Sequence, residues 1–237
     1  MKTPRLPASF WIGLVLLALG AGACKKEEPE TEGLSFIDEV PYYRFTANDR
    51  LWLQAKQGDE WKLQNAGGYQ RVYRIESVIT EIQKAQYRPN GFLGGQGALE
   101  SYIDRTFVRI KRADSLRAGA QLQFYRGAAL LPVPSIGVTD PNVSRFYATG
   151  AWNDFVGNSN LSNGGLQFPS GSLLQGPFTP LVVRGRQYND VLVFIGAPLL
   201  PTSQPIPSSY MQELYYDRQV GLVRMVSRAG EVWDRVP

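Results

Sequence analysis

Tyr188-Asn189-Asp190-Val191-Leu192-Val193-Phe194-Ile195 is a run of β-branched and aromatic residues, and its neighbours repeat the pattern. Before it, Pro180-Leu181-Val182-Val183-Arg184 leads into turn material near Gly185-Arg186-Gln187. A Pro-rich stretch from Pro198 to Pro207 follows it. Then come Met211 to Tyr216, a turn at Asp217-Arg218-Gln219, and Val220-Gly221-Leu222-Val223-Arg224-Met225-Val226. Arg228-Ala229-Gly230 turns again before Glu231-Val232-Trp233-Asp234-Arg235-Val236. Short runs of this composition, bounded by turn residues at this spacing, predict an antiparallel β-meander. The fold class that follows is all-β.

Upstream the same punctuation continues. Tyr42-Tyr43-Arg44-Phe45 precedes the turn signal Asn48-Asp49, and Leu51-Trp52-Leu53-Gln54-Ala55-Lys56 reads as a strand. Trp61-Lys62-Leu63-Gln64 alternates and stops at Asn65-Ala66-Gly67-Gly68. Arg71 to Ile82 is rich in residues that suit a pleated, half-buried surface. Helical spacing also fits Glu76 to Gln86, but the β-branched content favours strand. Helix is expected to be minor, with one short element near residues 76–86 or 208–214. From Asp104 alternation places Thr106, Val108 and Ile110 on one face and Arg105, Phe107, Arg109 and Lys111 on the other. Gln121 to Tyr125 and Arg145 to Thr149 are further strands, while Leu131-Pro132-Val133-Pro134 suits only an edge or an extended loop. Gly150 to Pro177 is dense in Gly, Asn and Ser and reads as a long loop.

Tyr188-Asn189-Asp190-Val191, then Tyr215-Tyr216, then Val220-Gly221-Leu222-Val223-Arg224 resembles the closing pattern of many uncharacterised exported bacterial lipoproteins. The resemblance covers about a quarter of the chain. It implies a curved antiparallel sheet of half-barrel or open-barrel type and transfers no catalytic residue. Tyr188, Tyr215 and Gly221 read as structural, through cross-strand aromatic packing and a strand glycine at a bend.

The beginning of the chain gives its address. Lys2 and Arg5 precede an apolar run from Phe10 to Leu19, then the small residues Gly20 to Ala23 and Cys24. That order is a secretory signal peptide. The run is about ten residues, against roughly 20 for a helix crossing a bilayer. Ala21-Gly22-Ala23-Cys24 resembles the lipobox of bacterial lipoproteins, with Ala21 where Leu is usual. The resemblance implies a diacylglyceryl group on the Cys24 thiol, cleavage before Cys24 and acylation of the new amine, palmitate among the chains. Cys24 is the only cysteine, so it has no disulfide partner within the chain. Lys25 to Gly33 is charged and carries no apolar residue, the composition of a tether. Lys26-Glu27-Glu28 also resembles the Lys-acid-acid signal after the cysteine of surface-exposed Bacteroidota lipoproteins. The expected organisation is a signal peptide over residues 1–23, lipidated Cys24 and a flexible tether over 24–40, and one β-rich domain over 41–237. The expected location is the outer membrane, lipid-anchored, on its periplasmic or cell-surface face.

Chemistry is narrowed by what is missing. The sequence has no histidine, which removes Ser-His-Asp and Cys-His catalysis and the usual zinc sites. Gly94-Gly95-Gln96-Gly97 lacks the Lys-Ser/Thr that completes a phosphate loop. No cofactor and no metal is implied. A net charge of +4 is too weak and too spread to argue for nucleic acid. Glu213 and Asp217 flank Tyr215 on one strand face, but four residues of strand separate them by roughly 13–14 Å. Glycosidase pairs sit about 5–9.5 Å apart. Asp114-Ser115-Leu116 resembles the O-glycan acceptor of exported Bacteroidota proteins, although a polar turn is the simpler reading.

The leading expectation is a non-catalytic envelope lipoprotein with a binding or structural role. One alternative is a carrier of a lipid or other apolar ligand in the hollow of the sheet. Another is a carbohydrate-active enzyme using carboxylates from separate strands. Partners are the membrane, through the anchor, and an envelope glycan or protein. Trp152, Asn153, Asp154 and Phe155 are the candidate ligand-binding residues, since aromatics beside hydrogen-bonding groups make specific surfaces. The competing reading has Trp152 and Phe155 packing the open end of the sheet, because aromatics bury large areas. For the anchor the expected outcome is simple. Cys24→Ala should abolish palmitate labelling and release the protein into soluble fractions, and continued labelling of that variant would end the lipoprotein reading.

Overall fold

The computed structural model describes residues 32–87, 98–115, 118–130, 139–153, 166–172, 178–195 and 211–237. The strands are β1 (Leu34–Ile37), β2 (Val40–Tyr43), β3 (Glu60–Asn65), β4 (Gln70–Tyr87), β5 (Ala98–Arg112), β6 (Gly119–Leu130) and β7 (Thr139–Asn153). After them come β8 (Leu166–Ser172), β9 (Thr179–Val183), β10 (Arg186–Ile195), β11 (Met211–Asp217), β12 (Gly221–Ser227) and β13 (Val232–Arg235). A short helix, α1 (Ala47–Arg50), runs into a 3-10 turn over Leu51–Leu53.

All of these strands belong to one sheet, and its path is β8-β7-β6-β5-β4-β3-β13-β12-β11-β10-β9. Neighbours along the path are antiparallel, with β1 and β2 attached at the side and β2 running parallel to β5. The path is open: among the described residues no ladder joins β8 to β9. It is nevertheless strongly rolled. Phe124 on β6 and Tyr216 on β11 lie six strand steps apart on the path, yet their ring centroids are 6.4 Å apart. A flat sheet would separate them by six spacings of about 4.8 Å each.

The rolled sheet closes around its own side chains. Trp61, Leu63, Tyr73, Ile75, Val108, Ile110, Leu122, Phe124, Phe146, Leu214, Leu222 and Met225 are all buried in one cluster. The alternation read from the sequence explains this: Thr106, Val108 and Ile110 of β5 face inward, while Arg109 and Lys111 are exposed. Arg71 to Ile82 lies within β4, so the strand reading there holds over the helical one; residues 211–214 are strand as well, and the short helix is α1 instead.

Three expectations are corrected. Leu51-Trp52-Leu53 is not strand. The preceding Thr46 caps α1, accepting from Asp49 N at 3.2 Å while Asp49 Oδ2 accepts from Thr46 N at 2.8 Å. This capping box starts a helical turn that carries Trp52 into the core. The second correction moves the end of the tether. Leu34–Ile37 pairs with Val40–Tyr43 in a hairpin, so ordered chain begins before residue 41. Asp104 secures that hairpin, accepting from Tyr42 Oη at 2.6 Å and from Phe45 N at 2.8 Å. Third, the stretch from Gly150 to Pro177 is not all loop. β7 runs through Gly150 to Asn153, and β8 pairs with β7. Residues 208–210, Leu131 to Pro134, Gly94 to Gly97 and the leader lie outside the described residues.

One ion pair is buried within this shell. Arg126 Nε on β6 lies 3.4 Å from Asp49 Oδ2, and both side chains are fully buried. Gly33 sits so close above that a Cβ there would collide with the Arg126 side chain and the Arg44 carbonyl. Burial raises the Asp49 pKa, and the Arg126 charge opposes that rise. Removing one partner of such a pair leaves an uncompensated buried charge. Arg126→Ala should therefore cost about 3–5 kcal/mol in urea unfolding at neutral pH. A buried carboxyl with a raised folded pKa contributes stability below its unfolded value, near pH 4, and loses it as pH rises. The defect of Arg126→Ala should accordingly shrink toward pH 4, and a pH-independent defect would contradict the ion-pair account.

Candidate functional site

At one end of the rolled sheet, residues from strand ends and turns surround a pocket of about 310 Å³. Each wall has a local cause. The 3-10 turn presents Trp52, and the first inward position of β3 presents Trp61. The end of β11 brings Tyr216, whose ring stacks on Trp52 at 6.2 Å and meets Trp61 edge-on at 5.9 Å. Gly221 opens β12 at φ 82, and a Cβ there would collide with the Trp61 indole. Only glycine meets both the backbone angle and the close approach.

Polar groups complete the lining. Asp217 Oδ1 accepts from Gln219 N at 2.9 Å and Val220 N at 3.1 Å, which shapes the β11–β12 turn. From that turn Arg218 reaches Asp190 Oδ2 at 2.7 Å. Arg235 donates to the carbonyls of Val220 and Leu222. Burial lowers the Arg235 pKa and pushes the Tyr216 hydroxyl well above the ordinary phenol range. Two buried donors on lining side chains, Trp52 Nε1 and Arg218 Nε, have no hydrogen-bond partner among the described residues. Groups left this way are uncommon in folded proteins and call for an explanation.

The carboxylates are occupied. Glu60 accepts from Arg74 at 2.6 Å, and this hydrogen bond holds its pKa below the ordinary value. Asp59 Oδ2 accepts from Lys56 N at 2.8 Å. Of the pair singled out in the sequence, Glu213 accepts from Tyr215 Oη at 2.7 Å and Asp217 is committed to its turn. Tyr215 ionises late, its pKa pushed up to about 12 by burial and the Glu213 contact.

The residues proposed from the sequence lie elsewhere. Trp152 on β7 is 1% exposed and packs on Tyr73, ring centroids 5.1 Å apart. Its burial supports the packing role over recognition. Asn153 ends β7 opposite Gly119, while Asp154, Phe155 and Cys24 lie outside the described residues. Ser115 stands in the β5–β6 turn, where its hydroxyl accepts from Ala118 N at 3.1 Å. Tyr188 is buried with Val183, Val191 and Val223. Among the described residues, the gap within the aromatic core is too small for an apolar ligand. The gap between Trp52, Phe124, Phe194 and Tyr216 measures about 10 Å³. Sequence reasoning missed the pocket residues because Trp52 looked like strand and Trp61, Tyr216 and Arg218 lie in separate runs. Their one shared signal was position, each in or beside a turn.

No known protein family, no curated protein sequence and no solved structure matches the chain. The packing role of Trp152 is open to measurement. Trp152→Ala should cost about 3–5 kcal/mol, read as a large fall in melting temperature. An unchanged melting temperature would return Trp152 to the list of recognition residues.

Proposed function

We propose that this chain is a lipid-anchored envelope protein that binds a saccharide-like ligand, without transforming it, in the pocket around Trp52, Trp61 and Tyr216. The observation that carries the reading is one pocket that brings the rings of Trp52, Trp61 and Tyr216 together with the polar side chains of Gln54, Arg218, Gln219 and Arg235. Gln54, Arg218, Gln219 and Arg235 supply hydrogen-bond donors beside the three rings, and about 310 Å³ lies at the lower end of the size small-ligand sites have. A sugar offers hydroxyls to such donors and C–H faces to the rings. Binding without catalysis is favoured because Glu60 is held ionised by Arg74, which makes it a poor proton donor. Attachment through Cys24 and a charged tether would place the pocket in the envelope, on the periplasmic or outer face of the outer membrane.

The test uses the detergent-solubilised full chain. Its tryptophan emission should change saturably as an oligosaccharide panel is titrated in, since Trp52 and Trp61 line the pocket. Arg218→Ala should weaken that binding about tenfold, the worth of one hydrogen bond to a charged group. Its melting temperature should move little, because Arg218 is part-exposed. No saturable response across the panel, or equal affinity in the variant, would overturn the proposal.

A further inference from the structure

Beside the aromatic pocket, sharing Glu60 and Arg235 with it, lies a second depression of about 310 Å³. Lys62, Arg184, Arg186 and Arg235 line it, with Tyr188 forming an apolar side. The cations come from three parts of the chain. Lys62 is an exposed residue of β3, and Arg235 ends β13. Arg184 and Arg186 flank the tip of the β9–β10 hairpin, where Arg184 at φ 49 and Gly185 at φ 81 make a two-residue turn. That turn matches the strand twist. It reaches across to β3, and Arg184 donates to the Gln64 carbonyl at 3.3 Å.

The charges are not balanced within the fold. Arg74, Arg112, Arg218 and Arg224 each hold a carboxylate at 2.6–2.7 Å. None of the four cations in the depression has a carboxylate partner among the described residues. Arg235 and Arg184 spend donors on backbone carbonyls, and Arg186 lies over the Tyr188 ring at 5.2 Å. The one acidic side chain in the lining, Glu60, is already held by Arg74. Four like charges around one concavity repel one another, and Glu60 near Lys62 and Asp217 near Arg235 offset that only in part. An oxyanion would offset it further, since guanidinium forks match carboxylate and phosphate oxygens.

We infer that the depression lined by Lys62, Arg184, Arg186 and Arg235 is an oxyanion subsite, so that the ligand is an acidic saccharide whose carboxylate or phosphate sits there. The inference rests on the saccharide reading of the adjoining pocket and names the class of ligand. The sugar body lies against Trp61 and Tyr216, and Arg235, common to both depressions, marks the junction.

The experiment compares matched probes on the detergent-solubilised full chain, read by tryptophan emission. One pair is trigalacturonate and its carboxyl-reduced, neutral counterpart; the other is glucose 6-phosphate and glucose. In at least one pair the acidic member should bind about tenfold tighter than its neutral twin, the order expected for charge-assisted hydrogen bonds. Which pair shows the difference identifies the oxyanion. The preference should weaken as salt rises. It should disappear in K62Q/R186Q, whose side chains are exposed and hold up no part of the core, while affinity for the neutral twin stays the same. Equal binding of acidic and neutral twins would overturn the oxyanion subsite and leave the aromatic pocket standing. A preference that survives in K62Q/R186Q would also overturn it. Absence of binding by all four probes would count against both readings.

Discussion

Trp233 opposite Asn65, Asp234 opposite Gln64 and Arg235 opposite Leu63 join the C-terminal strand to β3. Without that seam the chain would be two sheets, one from β3 to β8 and one from β9 to β13. With it, the described strands form one rolled sheet. Side chains reinforce the junction: Asn65 Nδ2 donates to Glu231 Oε1 at 2.6 Å, and Trp233 Nε1 donates to Glu231 Oε2 at 3.0 Å. The Arg71 guanidinium lies 3.9 Å from the Trp233 ring centroid. The loop closed by this pairing is very long, yet closure entropy grows only with the logarithm of loop length. A few well-buried contacts are enough to hold it.

Everything inside the roll depends on that closure. Walls that are distant along the sheet path meet through rings, Phe124 against Tyr216 and Tyr73 against Trp152. The hollow that a curved sheet would otherwise leave is filled by aromatic side chains and by α1 with its 3-10 turn. The same plug carries Asp49, and β6 supplies Arg126 opposite it. Two buried charges are tolerable because each is held against the other and Asp49 also caps a helix. Interior filling of this kind moves the available binding space to the end of the roll.

At that end the seam has a second effect. It puts Trp61 and Lys62 of β3 beside Arg235 of β13, next to the β11–β12 turn. The aromatic pocket and the cationic depression therefore share a wall. Tyr216 and Trp61 give one side its apolar surface, and Lys62, Arg184, Arg186 and Arg235 give the other its charge. Turn residues set both: Asp217 fixes the position of Arg218, and the short β9–β10 turn projects Arg184 and Arg186.

Strand content and facing were legible in the residues themselves. A period-two pattern such as Thr106, Val108 and Ile110 needs no tertiary information, because alternate side chains must share a face. The β-branched run from Arg71 to Ile82 and the meander after Pro180 were readable for the same reason. Trp52 was misread because a capping box at Thr46 and Asp49 outweighs an apolar run whose period is ambiguous over six residues. Trp152 was legible only as an aromatic; whether it faced solvent or core depended on which strand lay across the roll. The seam between β3 and β13 could not be read at all, since nothing local in Val232 to Arg235 specifies a partner far back in the sequence. The sequence by itself determined an all-β chain, because periodicity is a local property. Only the tertiary structure decided which strands meet, and through that where aromatic rings and cationic side chains converge, because such contacts join residues that the sequence keeps far apart.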